Sequence, residues 1–323
     1  MVFPLAQARG FYLLKRGFLM KGKWFLTFSV IGILAVTGIF LGLYFTLKAP
    51  ADTGITITDD LDRAVSINGV PQRIVSLSPG ATEILFVLGQ ESKVVGVTNQ
   101  CDYPEEARIK DKVGDYWSPS IERVVVLSPD LVLVEAYRPG LITQLEETGL
   151  VVVAFQPENI DSILNDIALI GQVVGVEKEA KALVSSMRQR IQAVVDKVVD
   201  TSKPGVFYEG DCSHAIWTAG SGTFQDELIA MAGGRNAGAI SSGYYEISNE
   251  VFLGIDDDID IIMWGDMVRV PFADVADKLP WSELTAVREG KVYVVDSDII
   301  NRAGPRIVDC LEEFARIIHP ELF

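Results

Sequence analysis

The chain has 323 residues, of which 49% are hydrophobic, and a formal net charge of −16 at pH 7. This length accommodates two domains of ordinary size and an additional apolar segment. Because residues 1–51 contribute +6 to the total, the rest of the chain carries −22. A surface of that charge repels phosphate backbones and anionic lipid headgroups, so we exclude nucleic-acid binding.

An uncharged apolar segment occupies residues 24–47. It is long enough to cross a hydrocarbon core of roughly 30 Å, so we predict a transmembrane helix. Basic residues precede it at Arg9, Lys15, Arg16, Lys21 and Lys23, and only Lys48 follows it closely. By the positive-inside rule, the basic segment 1–23 is cytoplasmic and the chain after residue 50 is extracytoplasmic.

The apolar segment has two interpretations, a retained anchor and a cleaved signal peptide. Ala49-Pro50-Ala51 has the small-x-small pattern of a cleavage site, but the segment exceeds the apolar core of about 7 to 15 residues found in signal peptides. We therefore favour a retained anchor over cleavage after Ala51. Since no cysteine lies near the end of the segment, we exclude a lipid-modified N-terminus.

Residues 48–73 predict a junction and a β-hairpin, followed by strands that alternate with helices. The predicted strands are 74–77, 93–97, 131–134 and 150–155, and the predicted helices are 81–88, 121–127, 141–148 and 160–174. This alternation indicates βαβ units and a mostly parallel sheet covered on both faces. We assign residues 74–175 to an N-terminal α/β lobe.

A long amphipathic helix is predicted over residues 176–200. Its apolar face carries Leu183, Met187, Ile191, Val194 and Val198 at helical spacing. Gly175 precedes it and Pro204-Gly205 follows it, so the helix should be about 38 Å long. We assign residues 176–203 to a linking helix.

The sequence after this helix repeats the pattern that precedes it. Residues 122–134 and 250–262 align without a gap, 128 positions apart, and each begins with a glutamate eight residues before an aspartate. We therefore predict a C-terminal α/β lobe over 204–323, with a helix at 224–232 and strands at 206–208, 259–264 and 291–295. The expected fold class is α/β: two similar lobes with mostly parallel sheets, joined by one long helix and preceded by a transmembrane helix. Ligands of such sheets bind beyond the carboxyl ends of the strands, so a cleft between the lobes is the expected site.

Sequence patterns of enzymes and metal centres are missing. The chain contains no GxSxG, Walker or HExxH motif and only two histidines, His214 and His319. The acidic run 256–260 lacks the order of an EF-hand and predicts a solvated turn, and Gly220-Ser-Gly222 predicts a hairpin. Three cysteines, Cys101, Cys212 and Cys310, favour buried thiols, although a Cys101–Cys212 pair is possible. We expect no catalysis, no metal site and no resident cofactor.

Aromatic residues occur instead at loop positions that follow strands in both lobes: Tyr103, Tyr116, Trp117, Tyr137, Trp217, Tyr244 and Tyr245. A single residue of this kind more often packs in a core. Together they favour a large, flat, conjugated ligand held between aromatic faces, with a few polar groups that set its orientation.

Four segments resemble the substrate-binding proteins of ABC importers for cobalamin and ferric siderophores. They are PQRIVSLSPGATEILFVLG (71–89), VVGVTNQCDYPEEA (94–107), SIERVVVLSPDLVLVE (120–135) and DSDIINRAGPRIVD (296–309). The second and fourth are most similar to the cobalamin-binding branch. The resemblance implies two lobes bridged by a long helix, a corrinoid ligand, and a permease dimer with ATPase subunits as partner. We expect a monomer.

The resemblance also implies roles for single residues. Tyr103, the Tyr116-Trp117 pair and Trp217 would face the corrin ring, with either Tyr116 or Trp117 in the stacking position. Tyr244 would form an aromatic wall, and Asp298 and Arg302 would make polar contacts. Glu122 and Glu250 would dock on arginines of the permease, or else each is a helix N-terminal residue favoured by the helix dipole.

Three other functions stay open. A siderophore or haem binder would need basic groups, for which Arg138, Arg269 and Arg302 are the candidates. A corrinoid-sensing ectodomain would bind without transport. A membrane-tethered hydrolase or nucleotide-processing enzyme with a degenerate motif is disfavoured because the sequence shows no pairing of a nucleophile with a base.

Overall fold

A computed structural model describes residues 54–211, 215–265 and 270–323 of the chain. The predicted cytoplasmic segment 1–23, the predicted anchor 24–47 and the Ala51 cleavage position lie outside these ranges. Within the ranges, no helix is long and apolar enough to cross a bilayer.

The first half of the described chain forms a hairpin and a five-stranded parallel sheet. Its elements are β1 (Ile55–Thr58), β2 (Ala64–Ile67), β3 (Ile74–Ser76), α1 (Pro79–Val87), β4 (Val94–Val97), β5 (Asp111–Lys112), α2 (Ile121–Val126), β6 (Leu131–Glu135), α3 (Pro139–Glu147), β7 (Val152–Phe155) and α4 (Ile160–Val173). Strands β1 and β2 pair antiparallel, as predicted, and the sheet order is β5-β4-β3-β6-β7. Every residue of β3, β6 and β7 is buried, which is typical of a parallel sheet covered on both faces.

Helix α5 (Glu177–Val198) confirms the predicted long helix and packs against helices from both halves. On one side it lies against α4, where a Cβ on Gly171 would stand 2.1 Å from the Ala180 Cβ. On the other side Arg190 of α5 binds Asp309 at 2.5 Å and Glu312 at 2.9 Å on the last helix of the chain. The chain passes once between its halves, through this helix.

The second half contains a six-stranded mixed sheet. Its elements are β8 (Gly205–Asp211), β9 (Ile216–Ala219), α6 (Phe224–Met231), β10 (Arg235–Asn236), β11 (Tyr244–Ile247), α7 (Asn249–Gly254), β12 (Ile261–Gly265), α8 (Thr285–Arg288), β13 (Val292–Val295), α9 (Ser297–Asn301) and α10 (Ile307–Ile318). The order is β11-β9-β8-β12-β13, and β10 also pairs with β8. Strands β8, β10, β12 and β13 are parallel to one another, whereas β9 and β11 are antiparallel to their neighbours.

The hairpin predicted at Gly220-Ser-Gly222 is wrong. Strand β9 runs into helix α6 and pairs with β11, which begins at Tyr244, so the two partners are far apart in sequence. Gly220 is needed for a close backbone approach, because a Cβ there would lie 2.2 Å from the carbonyl oxygen of Ser241. The acidic run, by contrast, forms the predicted turn, a 3₁₀ segment at Asp256–Asp258.

The apolar core has three parts. The largest cluster extends from the hairpin and the first sheet through α1, α4 and α5 to α6, α10 and the second sheet. Two smaller clusters cover the remaining face of each sheet. Cys101 and Cys310 are free, buried thiols, and Cys212 lies outside the described residues.

Candidate functional site

Three loops at the carboxyl edge of the first sheet carry the predicted aromatic residues of that half. Tyr103 follows β4, Tyr116 and Trp117 follow β5, and Tyr137 follows β6. The strands are parallel, so their carboxyl ends share one edge, and the folded chain brings three of these side chains together. The ring centroid of Tyr116 is 4.9 Å from that of Trp117 and 6.4 Å from that of Tyr137. Trp117 is 75% exposed, a large apolar face open to solvent or to a ligand.

A buried carboxylate that sequence reasoning missed lies beneath these rings. Glu135, the last residue of β6, is 8% exposed and accepts hydrogen bonds from the hydroxyls of Tyr116 and Tyr137. It also accepts one from the Ser78 hydroxyl at 2.6 Å. Burial raises the pKa of Glu135, and burial also raises the pKa of Tyr137 to about 12. A glutamate at the end of an otherwise apolar strand was the available sequence signal.

Tyr116, Trp117 and Tyr137 are called the aromatic cluster from here on. Arg138 lies against this cluster. Its guanidinium carbon lies 4.7 Å from the centroid of the Tyr116 ring, within the range of a cation–π contact. The three guanidinium nitrogens are buried and have no hydrogen-bond partner among the described residues. Burial lowers the pKa of Arg138, while the neighbouring Tyr137 and Glu135 oppose that shift.

A second group of side chains connects the two halves. Arg302 binds Asp298 and Asp102, each at 2.8 Å, and its side chain is only 10% exposed. The Arg306 guanidinium lies 3.8 Å from the centroid of the Tyr103 ring and donates two hydrogen bonds to the carboxylate of Glu83. The predicted pair Asp298 and Arg302 is therefore in contact, and its charges are shared with the first half. Burial raises the pKa of Asp298, against the effect of Arg302.

The third group lies on the second sheet. Trp217 of β9 and Tyr244 of β11 stand on neighbouring antiparallel strands, in positions that share one face. Together with Tyr208 and Asn301 they line a cavity of about 310 Å³. The Tyr244 hydroxyl donates a hydrogen bond to Gln225 at 2.6 Å, which fixes the direction of the ring. Asn301 places this cavity directly beside the segment that carries Arg302.

The predicted docking residues Glu122 and Glu250 occupy equivalent positions. Each is the second residue of a six-residue helix, α2 or α7, and each helix has a serine N-cap, Ser120 or Ser248, whose side chain accepts a backbone N–H. Both glutamates are exposed. The backbone N–H of Glu122 and the Ser120 hydroxyl lower the pKa of Glu122.

The remaining candidates are structural or lie outside the described residues. His319 is buried and its Nε2 contacts Thr201 and the carbonyl of Gly233 at 3.2 Å each. His214 and Arg269 are not described. Across the described ranges, no group of three or more histidine, cysteine, aspartate or glutamate side chains could hold a metal ion.

The sequence pattern of the periplasmic binding protein family matches residues 74–299. The chain belongs to this family. The described parts of this periplasmic binding protein also have its α/β architecture, with a separate sheet on each side of a long helix.

Individual relatives agree with this assignment. The chain is 34% identical over 277 residues to an ABC transporter substrate-binding lipoprotein of Bacillus subtilis, covering 83% of this chain and 87% of that protein. It is 32% identical to a cobalamin-binding protein of Halobacterium salinarum, covering 82% of this chain and 74% of that protein. Among solved structures, a periplasmic heme binding protein from Pseudomonas aeruginosa superposes with a TM-score of 0.72 at 26% identity, covering 79% of this chain and 95% of that one.

Proposed function

We propose that this periplasmic binding protein is the extracytoplasmic substrate-binding component of an ABC importer and that it captures cobalamin or a related corrinoid. The observation that carries the proposal is the display of aromatic side chains on both sheets, Tyr116, Trp117 and Tyr137 on one and Trp217 and Tyr244 on the other. Aromatic faces bind a planar macrocycle by stacking, with a few polar groups for orientation. The relative from Halobacterium salinarum supports the choice of ligand.

The charge of the site favours a corrinoid over an anionic chelate. Two of its three arginines are neutralised by neighbours, since Arg302 binds Asp102 and Asp298 and Arg306 binds Glu83. The third, Arg138, lies beside the carboxylate of Glu135. Little positive charge is left for the carboxylates of haem or of a ferric siderophore, and the rest of the extracytoplasmic chain is strongly acidic.

Haem is the second candidate ligand, because two observations favour it. The solved structure from Pseudomonas aeruginosa is that of a heme binding protein. In addition, the buried guanidinium of Arg138 has no hydrogen-bond partner among the described residues, so an anionic ligand group would satisfy it. The two ligands differ in colour and charge, which makes a direct comparison simple.

Membrane attachment would come from the apolar segment 24–47. The relative from Bacillus subtilis is named as a lipoprotein, whereas the first cysteine of this chain is Cys101. A retained transmembrane helix would give the same result as a lipid, keeping the binding protein near its permease and raising its effective concentration there.

Delivery would proceed by docking of the binding protein on a permease dimer with ATPase subunits. Glu122 and Glu250 supply one exposed carboxylate from each half, in matching helix positions, which suits a partner with two-fold symmetry. No bond is made or broken in this role, and no resident cofactor is needed. The protein would act as a monomer.

The proposal is tested with the full chain purified in detergent. The protein is mixed in turn with cyanocobalamin, haemin and ferrichrome and passed through a gel-filtration column. We expect a coloured protein peak with cyanocobalamin only. A coloured peak with haemin only would replace the corrinoid by the second candidate, and no coloured peak with any of the three would contradict the proposal.

A further inference from the structure

Glu135 is the only residue of strand β6 with an ionisable side chain, and the strand buries all five of its residues. Its two carboxylate oxygens are used by different parts of the fold. Oε1 accepts from the Ser78 hydroxyl, and Ser78 is the N-cap of helix α1. Oε2 accepts from the hydroxyls of Tyr116 and Tyr137. One carboxylate therefore connects three loops at the carboxyl edge of the first sheet.

These hydrogen bonds determine how the two tyrosine rings are oriented. The hydroxyl oxygen of a tyrosine lies on the axis through Cβ, Cγ and Cζ, so holding it at a buried acceptor fixes the direction of that axis and the place of the ring. Tyr116 is held further, since its backbone N–H donates to Gln100 at 2.7 Å and Arg138 lies over its ring. Tyr137 is 50% exposed, so its ring meets the solvent although its hydroxyl is engaged below.

The same hydrogen bonds occupy the oxygens of the two phenols. A phenolate oxygen is a ligand for ferric iron, as in haem proteins with a tyrosine axial ligand. Either oxygen would have to lose its proton and its hydrogen bond to Glu135 before it could bind iron as a phenolate. In addition, burial raises the pKa of Tyr137 to about 12, so its ionised fraction at pH 7 is on the order of 10⁻⁵.

We propose that Glu135 is a positioning residue that sets ligand specificity: it presents Tyr116 and Tyr137 as neutral ring faces to a planar macrocycle and withholds their oxygens from ferric iron. This inference rests on the proposed function, because it takes the aromatic cluster to be part of the ligand site. It deepens that function by assigning the preference for a stacked corrinoid over an iron-ligated tetrapyrrole to one buried side chain.

The test compares the wild-type full chain with Glu135→Gln and with a control, Glu147→Gln, an exposed glutamate on α3. The first readout is the pH titration of tyrosine absorbance in the ultraviolet. We expect Glu135→Gln to lower the pKa of Tyr137, whose titration is identified by its absence in Tyr137→Phe, by about one unit, because a neutral amide replaces the carboxylate. Glu147→Gln should leave the titration unchanged. A loss of folding alone would expose all tyrosines together and is recognised by circular dichroism.

The second readout is the ratio of the affinities for haemin and cyanocobalamin. We expect Glu135→Gln to raise this ratio at least tenfold and to give bound haemin the visible spectrum of a tyrosinate-ligated ferric haem. An unchanged titration together with an unchanged ratio in folded Glu135→Gln would overturn the inference. If wild-type protein binds neither ligand, the proposed function fails and the specificity claim fails with it, while the titration still decides whether Glu135 holds the phenols.

A second pair of variants covers the case in which Glu135→Gln does not fold. Tyr137→Phe keeps the ring and removes the hydroxyl, whereas Tyr137→Ala removes both. If the ring face is the contact, Tyr137→Ala should weaken cyanocobalamin binding at least tenfold more than Tyr137→Phe. Equal losses in the two variants would show that the hydroxyl is the contact and would overturn the inference.

Discussion

Arg306 and Glu83 form a partly buried ion pair that connects the second half of the molecule to the first. Nη2 of Arg306 donates to Oε1 of Glu83 at 2.6 Å and Nε donates to Oε2 at 2.9 Å. The side chain of Glu83 is 3% exposed, and its burial raises its pKa against the effect of Arg306. Helix α5 is therefore not the sole connection between the two sheets, because this pair lies on α1 and at the N-cap of α10.

Removal of the Glu83 carboxylate should lower the stability of the folded protein. Glu83→Gln leaves the guanidinium of Arg306, whose side chain is only 15% exposed, without its counter-charge, so we expect the free energy of unfolding to fall by about 3 kcal/mol. Urea denaturation followed by circular dichroism measures this change. Glu177→Gln is the control, since its salt bridge with Lys181 is exposed and should contribute no more than about 0.5 kcal/mol. A Glu83→Gln cost as small as that of the control would contradict the structural role of the pair.

Gly80 provides a steric test of the same contact between the halves. A Cβ on Gly80 would lie 2.2 Å from the carbonyl oxygen of Ala303, so Gly80→Ala must push α1 away from that segment. We expect a loss of about 1 to 3 kcal/mol in stability and weaker ligand binding. Thermal unfolding and equilibrium dialysis measure the two effects.

Gly140→Ala is the matched control for that variant. Both glycines follow a proline at the start of a nine-residue helix, but a Cβ on Gly140 would meet nothing within 4 Å. We therefore expect Gly140→Ala to be neutral or to stabilise the protein by about 0.4 to 1 kcal/mol. Equal effects at the two positions would show that the contact with Ala303 carries no constraint.

A buried acid in α4 should make stability depend on pH. The side chain of Asp166 lies against Asp60 of the hairpin and is 4% exposed, and burial raises its pKa to about 9. The folded state therefore keeps a proton on Asp166 that the unfolded chain releases above its ordinary value of 3.8. The contribution of Asp166 to the free energy of unfolding is fully present below pH 3.8 and is lost as the pH rises toward 9.

Asp166→Asn removes this titration while keeping the size of the side chain. We expect the variant to gain stability relative to wild type as the pH rises from 5 to 9, by at most about 1.4 kcal/mol per pH unit. Urea denaturation at pH 5, 7 and 9 checks the slope. Asp161→Asn, an exposed carboxylate on the same helix, should give a difference from wild type that does not grow with pH. A stability difference between Asp166→Asn and wild type that does not change with pH would contradict the raised pKa of Asp166.

The proposed docking role of Glu122 and Glu250 predicts that ligand binding and transport can be separated. The double substitution Glu122→Ala and Glu250→Ala should abolish uptake of labelled cobalamin by cells, while the affinity of the purified protein stays within twofold of wild type. Each single substitution should have a smaller effect. Lost affinity in the double variant, or normal uptake, would argue that both residues serve only their helix N-termini.

The elements that the sequence predicts well are those whose signal is local. Helix α5 is predicted within two residues at each end because its apolar period runs without glycine or proline. Strands β9 and β11 were missed because their pairing is non-local: Trp217 and Tyr244 look like loop aromatics until the folded chain places the two strands side by side. Physical reasoning on a single strand cannot locate a partner on the far side of a helix.

The candidate site shows the same difference between local and non-local signals. The aromatic side chains and the Asp298–Arg302 pair were predicted from residue type and from resemblance. Glu135 was not, since an acidic residue at a strand end is ordinarily solvated, and only the tertiary fold brings the two tyrosine hydroxyls to it. The partners of Arg302 in the first half, Asp102 among them, likewise depend on how the two halves pack.

The most direct measurement is a crystal structure of the protein with cyanocobalamin. The account predicts that the corrin ring lies between the aromatic cluster of Tyr116, Trp117 and Tyr137 on one side and Trp217 and Tyr244 on the other, with the hydroxyls of Tyr116 and Tyr137 still on Glu135. A corrinoid bound away from these side chains, or contacts made by only one sheet, would contradict it.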